Sequence, residues 1–180
     1  MFEAEKDKYL MKHGFGATRL KAVLFDMDGV LFDSMPNHAY SWSHAMTQFG
    51  LHITPEEAYM HEGRTGGGTI DLLAQRDWGR RATEEEKQTI YKAKSDVFSR
   101  CPEAPRMPGA YELLKKVKAD GFTPMVVTGS GQVSLIDRLN HNFPSVFRRD
   151  LMVTSFDVKY GKPNPELYHQ GRNLLYEKDS

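Results

Sequence analysis

"KAVLFDMDGVLFDS", residues 21–34, ends a short apolar run with two carboxylates one residue apart and a glycine directly behind them. Ala22 to Phe25 is nearly continuous in apolar character, as expected of a strand buried on both faces in a parallel sheet. Residues i and i+2 of a strand share a side, so Asp26 and Asp28 can point into one pocket while Gly29 turns the chain away. "PMVVTGSG" (124–131) reads as a second buried strand ending in a turn, and "DLMVTSFD" (150–157) as a third. Between them lie helical stripes, first Ala110, Leu113, Leu114 and Val117, then Leu135, Ile136 and Leu139. "YGKPNPE" (160–166) is a turn that launches a last helix. Strands alternating with helices predict a parallel, Rossmann-like α/β sheet with right-handed crossovers.

From about Pro36 to Arg100 the pattern is helical throughout. Ala39, Trp42, Met46 and Phe49 recur at helical spacing and read as the core of a small bundle. "TPEE" from Thr54 and "TEEE" from Thr83 are capping boxes, and Ile90, Ala93 and Val97 form one face. The run Glu84 to Glu86 suits a helix N-terminus through the dipole and needs no partner. "CPEAPRMPG" (101–109) reads as a return linker. The expected organisation is an N-terminal extension over 1–19, with a helix-like Phe2 to Lys12, an α/β core over 20–34 and 105–180, and an all-helical insert over 35–104.

Lys+Arg and Asp+Glu are both 24, so the net charge is zero and no nucleic-acid partner is expected. The single cysteine, Cys101, excludes an internal disulfide and is given no role. The N-terminus is charged and has no sustained apolar stretch, so neither a signal peptide nor a membrane span is expected, and a cytoplasmic location fits.

Ligands of open α/β sheets sit beyond the carboxyl ends of the strands. The first strand delivers Asp26 and Asp28, the second Thr128, Gly129 and Ser130, and the third is followed by Lys162 in a Gly-Lys-Pro turn. One ionised carboxylate can attack phosphorus while the other moves a proton. Thr128 and the amides near Ser130 can hold phosphate oxygens, and Lys162 can offset phosphoryl charge. Carboxylates with phosphate oxygens and waters suit Mg²⁺. A lone D-x-D is also what a solvated turn presents; three such groups in this order, each at a strand end, set that reading aside.

"DMDGV" (26–30), "VVTGS" (126–130) and "GKPNPE" (161–166) resemble the first three motifs of the haloacid dehalogenase superfamily, and the helical insert resembles its type I cap. The nearest branch looks like the β-phosphoglucomutase-like proteins. The resemblance implies a nucleophilic Asp26 that becomes an aspartyl-phosphate. It implies Asp28 as general acid/base, lending its backbone carbonyl to Mg²⁺, with Thr128 and Lys162 on the transferring phosphoryl group. His38 resembles a histidine at the start of the mutase cap; capping or packing is an equal reading.

Two departures bear on substrate and completeness. The mutases carry a Lys-Gly-x-x-Arg type loop in the cap; here "EGRTGG" (62–67) puts Glu62 in place of that Lys and Gly66 in place of that Arg. Losing the guanidinium fork weakens sugar-phosphate recognition. An acid there is expected to contact Mg²⁺, giving Asp26, Asp28 and Glu62 as the metal set. Arg64 would take the leaving phosphate and Gly29 would line the site. "MHEGRTG" and "MPGAYELLKKVK" most resemble the inorganic pyrophosphatase of this branch, so pyrophosphate is the first expected substrate. A small sugar phosphate or a β-phosphoglucomutase reaction follows. After Lys162 the family has a fourth, acidic motif; here "PELYHQGRNLLYEKDS" is one helix, so the core is expected to be truncated, with Val23 and Phe25 exposed at a sheet edge. An inactive remnant is the rival expectation.

Overall fold

The computed structural model describes residues 2–16 and 20–179. Met1, residues 17–19 and Ser180 lie outside the described residues, and with them the expected junction between extension and core. Three strands, β1 (Ala22–Phe25), β2 (Thr123–Val127) and β3 (Met152–Val153), form one parallel sheet in the order β1-β2-β3. Phe25 pairs with Val126, and Val126 with Met152.

Alternation along β2 divides the core. Val126 joins Phe25 on one face, under α6 (Ala110–Ala119) and α7 (Val133–Asn142). Met125 and Val127 face the other way, with Val153 and with Leu167 of α8 (Glu166–Asp179). The resulting three layers are the architecture expected of a parallel sheet. Gly171 of α8 makes this packing close, since a Cβ there would meet Val127 Cγ1 at 3.0 Å.

The insert folds as α2 (Met35–Met46), a short 3₁₀ turn, α3 (Pro55–Met60), α4 (Gly66–Asp77) and α5 (Glu84–Phe98) around their own cluster, which includes Trp42, Met46, Ile70, Leu73 and Ile90. Both capping boxes form, at Thr54 with Glu57 and at Thr83 with Glu86. The N-terminal helix α1 runs over Phe2–Lys12. Among the described residues no helix is long and apolar enough to cross a membrane.

Several details differ from the sequence reading. Leu113 is 53% exposed, because the α6 stripe runs through Ala110, Leu114 and Val117. The third strand is only two residues long: the Asp157 carboxylate takes both the Thr154 N–H and its hydroxyl, turning the chain out of the sheet. Phe25 is buried and Val23 partly so, since the helical layer covers the face of β1 even at the edge of the sheet. The acidic run at the start of α5 is partnered, with Glu86 gripped by Arg80 and Glu84 by Lys87.

Phe143 is fully buried in the layer beneath α6 and α7 and meets Phe32 edge-on at 5.5 Å between centroids. Phe143→Ala should cost about 3–5 kcal/mol of unfolding free energy, read as a lower urea midpoint at unchanged slope.

Candidate active site

The carboxyl ends of β1 and β2 and the turn before α8 meet at one edge of the sheet. Asp26, half-buried, accepts the Met27 N–H on Oδ1 at 2.8 Å, and its Oδ2 lies 2.5 Å from Lys162 Nζ. Gly29 takes φ +72° and donates its N–H to the Phe32 carbonyl, closing the tight turn that carries the chain off the strand. Asp28 is buried. Its Oδ1 accepts the Ser34 hydroxyl at 2.5 Å and faces His38 Nε2 at 2.9 Å. Its Oδ2 is buried with no hydrogen-bond partner, which leaves one oxygen of this carboxylate open for a proton or a ligand.

His38 links the core to the helical insert. Its Nδ1 lies 2.8 Å from Nζ of Lys94, a lysine 1% exposed within α5. An ammonium only donates, so Nδ1 accepts, Nε2 carries the ring proton, and that proton points at Asp28. The chain of donation runs Lys94 to His38 to Asp28. Burial and the Lys94 charge hold His38 below its usual range, against the pull of Asp28. Burial lowers Lys94 to about 8, with Asp28 and Glu62 opposing the fall. For Asp28, burial pushes the pKa up, but His38, Ser34 and Lys94 together take it below the ordinary value. Phe98, Trp42 and Tyr91 rings surround the ammonium at 4.7, 5.5 and 5.7 Å. Trp42 is thus insert core, as expected, and also part of the wall around Lys94.

Thr128 is fully buried at the end of β2, and its Oγ1 accepts the Ser130 N–H at 3.0 Å. The Gly131 N–H goes to the Tyr91 hydroxyl at 3.2 Å and that of Gln132 to Ser130 Oγ at 3.3 Å. The amides near Ser130 are therefore already engaged, and the loop is held in shape rather than left with free donors.

The loop after α3 lies on this edge. The Gly63 carbonyl accepts the Lys162 N–H at 2.8 Å. A Cβ on Gly161 would stand 2.6 Å from the Gly63 oxygen, and one on Gly129 would stand 2.8 Å from the Gly63 carbonyl carbon. Backbone meets backbone here, which only glycine permits. The loop carries Glu62, whose carboxyl is raised to about 7 by the surrounding protein mass and then by Asp28, with Asp26 adding to the effect. Glu62 is nonetheless exposed to solvent on its outer side. Arg64 is exposed beside it, and both line a cavity of about 30 Å³ with His38, Tyr91, Lys94 and Ser130.

The structure thus brings together Asp26, Asp28, Thr128, Lys162, Gly29, Gly129, Ser130, Glu62 and Arg64. Sequence reasoning passed over Ser34, Tyr91 and Lys94. Lys94 falls four residues from both Ile90 and Phe98 on the apolar stripe of α5, and a lysine on that stripe was the available signal. As a metal centre the side chains fit only in part. No group of three or more ligating side chains is gathered closely enough for an ion among the described residues. Asp26 is engaged by Lys162, and Asp28 offers Oδ2 alone. That suits Mg²⁺, which keeps waters and takes one or two carboxylates with substrate oxygens, better than a cation needing a full protein cage.

A family model described as "Hydrolase: haloacid dehalogenase-like hydrolase" matches residues 20–179. The chain is 30% identical over 160 residues to "Hexitol phosphatase A" of Escherichia coli (strain K12), covering 87% of this chain and 69% of that protein. It is 29% identical over 150 residues to "Phosphorylated carbohydrates phosphatase" of Thermotoga maritima, covering 83% and 68%. A solved structure described as "Putative beta-phosphoglucomutase from Bacteroides vulgatus" superposes with a TM-score of 0.88 at 60% identity, covering 94% of this chain and 69% of that one.

Glu62 gives a pH test. Below about 4.5 the carboxyl is protonated folded and unfolded, and it costs nothing. Between 4.5 and about 7 the unfolded chain ionises first, so the folded state loses stability as pH rises. A sealed carboxyl so displaced would cost about 3 kcal/mol; solvent access brings the expected figure to about 1 kcal/mol. With chelator present, Glu62→Gln should melt like the parent at pH 4.5 and several degrees higher at pH 8.

Proposed function

The chain belongs to the haloacid dehalogenase-like hydrolase family, and we propose that it hydrolyses a small phosphorylated substrate through an aspartyl-phosphate on Asp26, with inorganic pyrophosphate as the substrate the site favours. The observation that carries the chemistry is the pair at the end of β1. Asp26 is held at 2.5 Å by Lys162, next to a buried Asp28 with one oxygen unpartnered.

In this reading the Asp26 carboxylate attacks phosphorus, the bond to the leaving oxygen breaks, and that oxygen takes a proton that Asp28, ionised at rest, first accepts on its free Oδ2 from the incoming protonated substrate. Asp28 then removes a proton from water; the water oxygen attacks the phosphoryl group, the bond to Asp26 breaks and phosphate leaves. Lys162 and Thr128 hold the phosphoryl oxygens. Asp26, the Asp28 backbone carbonyl and, directly or through water, Glu62 would hold Mg²⁺, which supplies neutralisation of phosphoryl charge. Ser34 and His38 orient the Asp28 carboxylate and keep it from turning away from its task. The insert acts as a cap that closes over the site and limits water.

Substrate size and charge favour pyrophosphate. The loop over the site presents Glu62 and no guanidinium fork from position 66, and the partly open pocket it forms with His38, Tyr91 and Lys94 is small. A sugar-phosphate phosphatase, or a β-phosphoglucomutase, is the second reading. The names of the curated relatives favour it, since they describe phosphatases of hexitol and carbohydrate phosphates.

Phosphate release from pyrophosphate with Mg²⁺ should fall at least about 10³-fold in Asp26→Asn. Glu62→Gln should lower kcat/KM for pyrophosphate by about 10–100-fold. Faster release from β-glucose-1-phosphate or a hexitol phosphate than from pyrophosphate would move the conclusion to the second reading. A folded chain that releases nothing from any of them would defeat both.

A further inference from the structure

We infer that the open groove between the cap and the turn before α8 is a second anion site, which takes a short chain of linked phosphate groups and is built from both sides of the junction. It goes beyond the chemistry at Asp26 and does not depend on it.

The groove has a volume of about 1240 Å³. Its cap wall comes from the loop after α3, the first half of α4 and the start of α5, and its core wall from the turn over 159–164. The Lys162 N–H, donated to the Gly63 carbonyl, joins the two walls.

The chain as a whole carries no net charge, but charge in the groove is uneven. Arg64 and Arg81 on the cap wall and Lys159 on the core wall are exposed. None of the three makes an ion pair or a side-chain hydrogen bond among the described residues; the Lys159 ammonium lies only over the Tyr160 ring, at 5.2 Å. Two carboxylates line the groove, Asp71 and Glu84, and Lys87 holds both, at 2.9 and 2.8 Å. The Lys162 ammonium is committed to Asp26. Three cations on two walls therefore face one space without a counter-charge, and their fields add for an anion placed between them.

Helix α4 adds to this. The Thr65 hydroxyl accepts the Gly68 N–H at 3.2 Å and leaves the Gly67 N–H without an acceptor among the described residues, at the positive end of a 12-residue helix. Gly67 lines the groove and has no side chain to cover that amide. The donors are of the kind that phosphate oxygens use: guanidinium forks, an ammonium and a backbone N–H. They are spread over two walls of a wide groove. One phosphate group can meet the cations of one wall; a row of linked phosphates can meet both. The shared chemistry is the oligophosphate chain, free or as the tail of a nucleotide.

The experiment titrates the full chain with sodium tripolyphosphate by calorimetry, at low salt and with chelator present. The parent should bind one equivalent, with inorganic phosphate at least about 10-fold weaker, and added salt should weaken the binding. Arg81→Ser, on the cap wall, and Lys159→Ser, on the core wall, should each weaken tripolyphosphate about 3–10-fold, and together by about the product. Both are surface changes, so melting curves without anion should not move. Thr128→Val alters the strand end beside Asp26 and should leave the binding unchanged. ATP separates the two sources: binding equal to tripolyphosphate supports the bare chain as sufficient, and tighter binding supports the site with a nucleotide as its source. Absence of binding in the parent, binding that ignores salt, or loss in only one of the two wall variants overturns the inference. So does loss in folded Thr128→Val, which would place the anion at the Asp26 site.

Discussion

A lysine ammonium enclosed in protein must be given partners, because the loss of hydration costs several kcal/mol and nothing apolar returns it. Lys94 is 1% exposed, and the helical bundle that encloses it offers aromatic faces, with the Glu62 carboxylate acting on it from the loop after α3 without a direct ion pair among the described residues. Its hydrogen-bond partners are His38 at the start of the bundle and, at 3.4 Å, Gln132 in the core loop. Through His38 its influence reaches Asp28. The charge is therefore best satisfied when the bundle lies over the strand ends, and that arrangement also defines the site. Removing any member leaves a buried polar group alone, which costs more than the pair contributes.

The docking itself is made largely of backbone. Gly63, Gly129, Gly131 and Gly161 meet across the junction or meet Tyr91, and each contact would be closed by a single methyl group. The charged side chains of Glu62 and Lys162 project from the loops that touch. Positioning by main chain has a clear advantage: it lets the loops approach closely without occupying the volume a substrate needs. It also keeps the Lys162 turn in register with Asp26, since the Lys162 N–H is held by Gly63 while its ammonium is held by the carboxylate.

Much of this was readable in the chain. Apolar runs ending in Asp26, Thr128 and the turn at Lys162 predict buried parallel strands, because a strand covered on both faces leaves no polar alternation. The capping boxes at Thr54 and Thr83 announced two helices correctly. What escaped was whatever depends on contacts distant in sequence. Tyr91 and Lys94 sit among ordinary helix residues, and nothing local says that one will lie over Gly66 and the other beneath His38. Leu113 is as apolar as its neighbours but lies off the stripe of Ala110, Leu114 and Val117 that faces the core. The apolar run of the third strand outlasts its pairing because the Asp157 turn competes with the sheet for the same backbone donor.

The two ends of the helical insert leave and rejoin the core side by side. Asp33 N–H donates to the Pro105 carbonyl at 2.9 Å, Met107 N–H to that of Leu31 at 2.9 Å, and Asn37 Nδ2 to that of Pro102 at 2.8 Å. To the sheet, everything between these points is one long loop whose ends are already pinned, and lengthening such a loop costs only slowly more entropy. The core is thus a socket. What is plugged into it can be enlarged or trimmed where it lies away from the sheet, while His38 and Lys94, which reach from the insert to Asp28, tie the part nearest the carboxylates to the core.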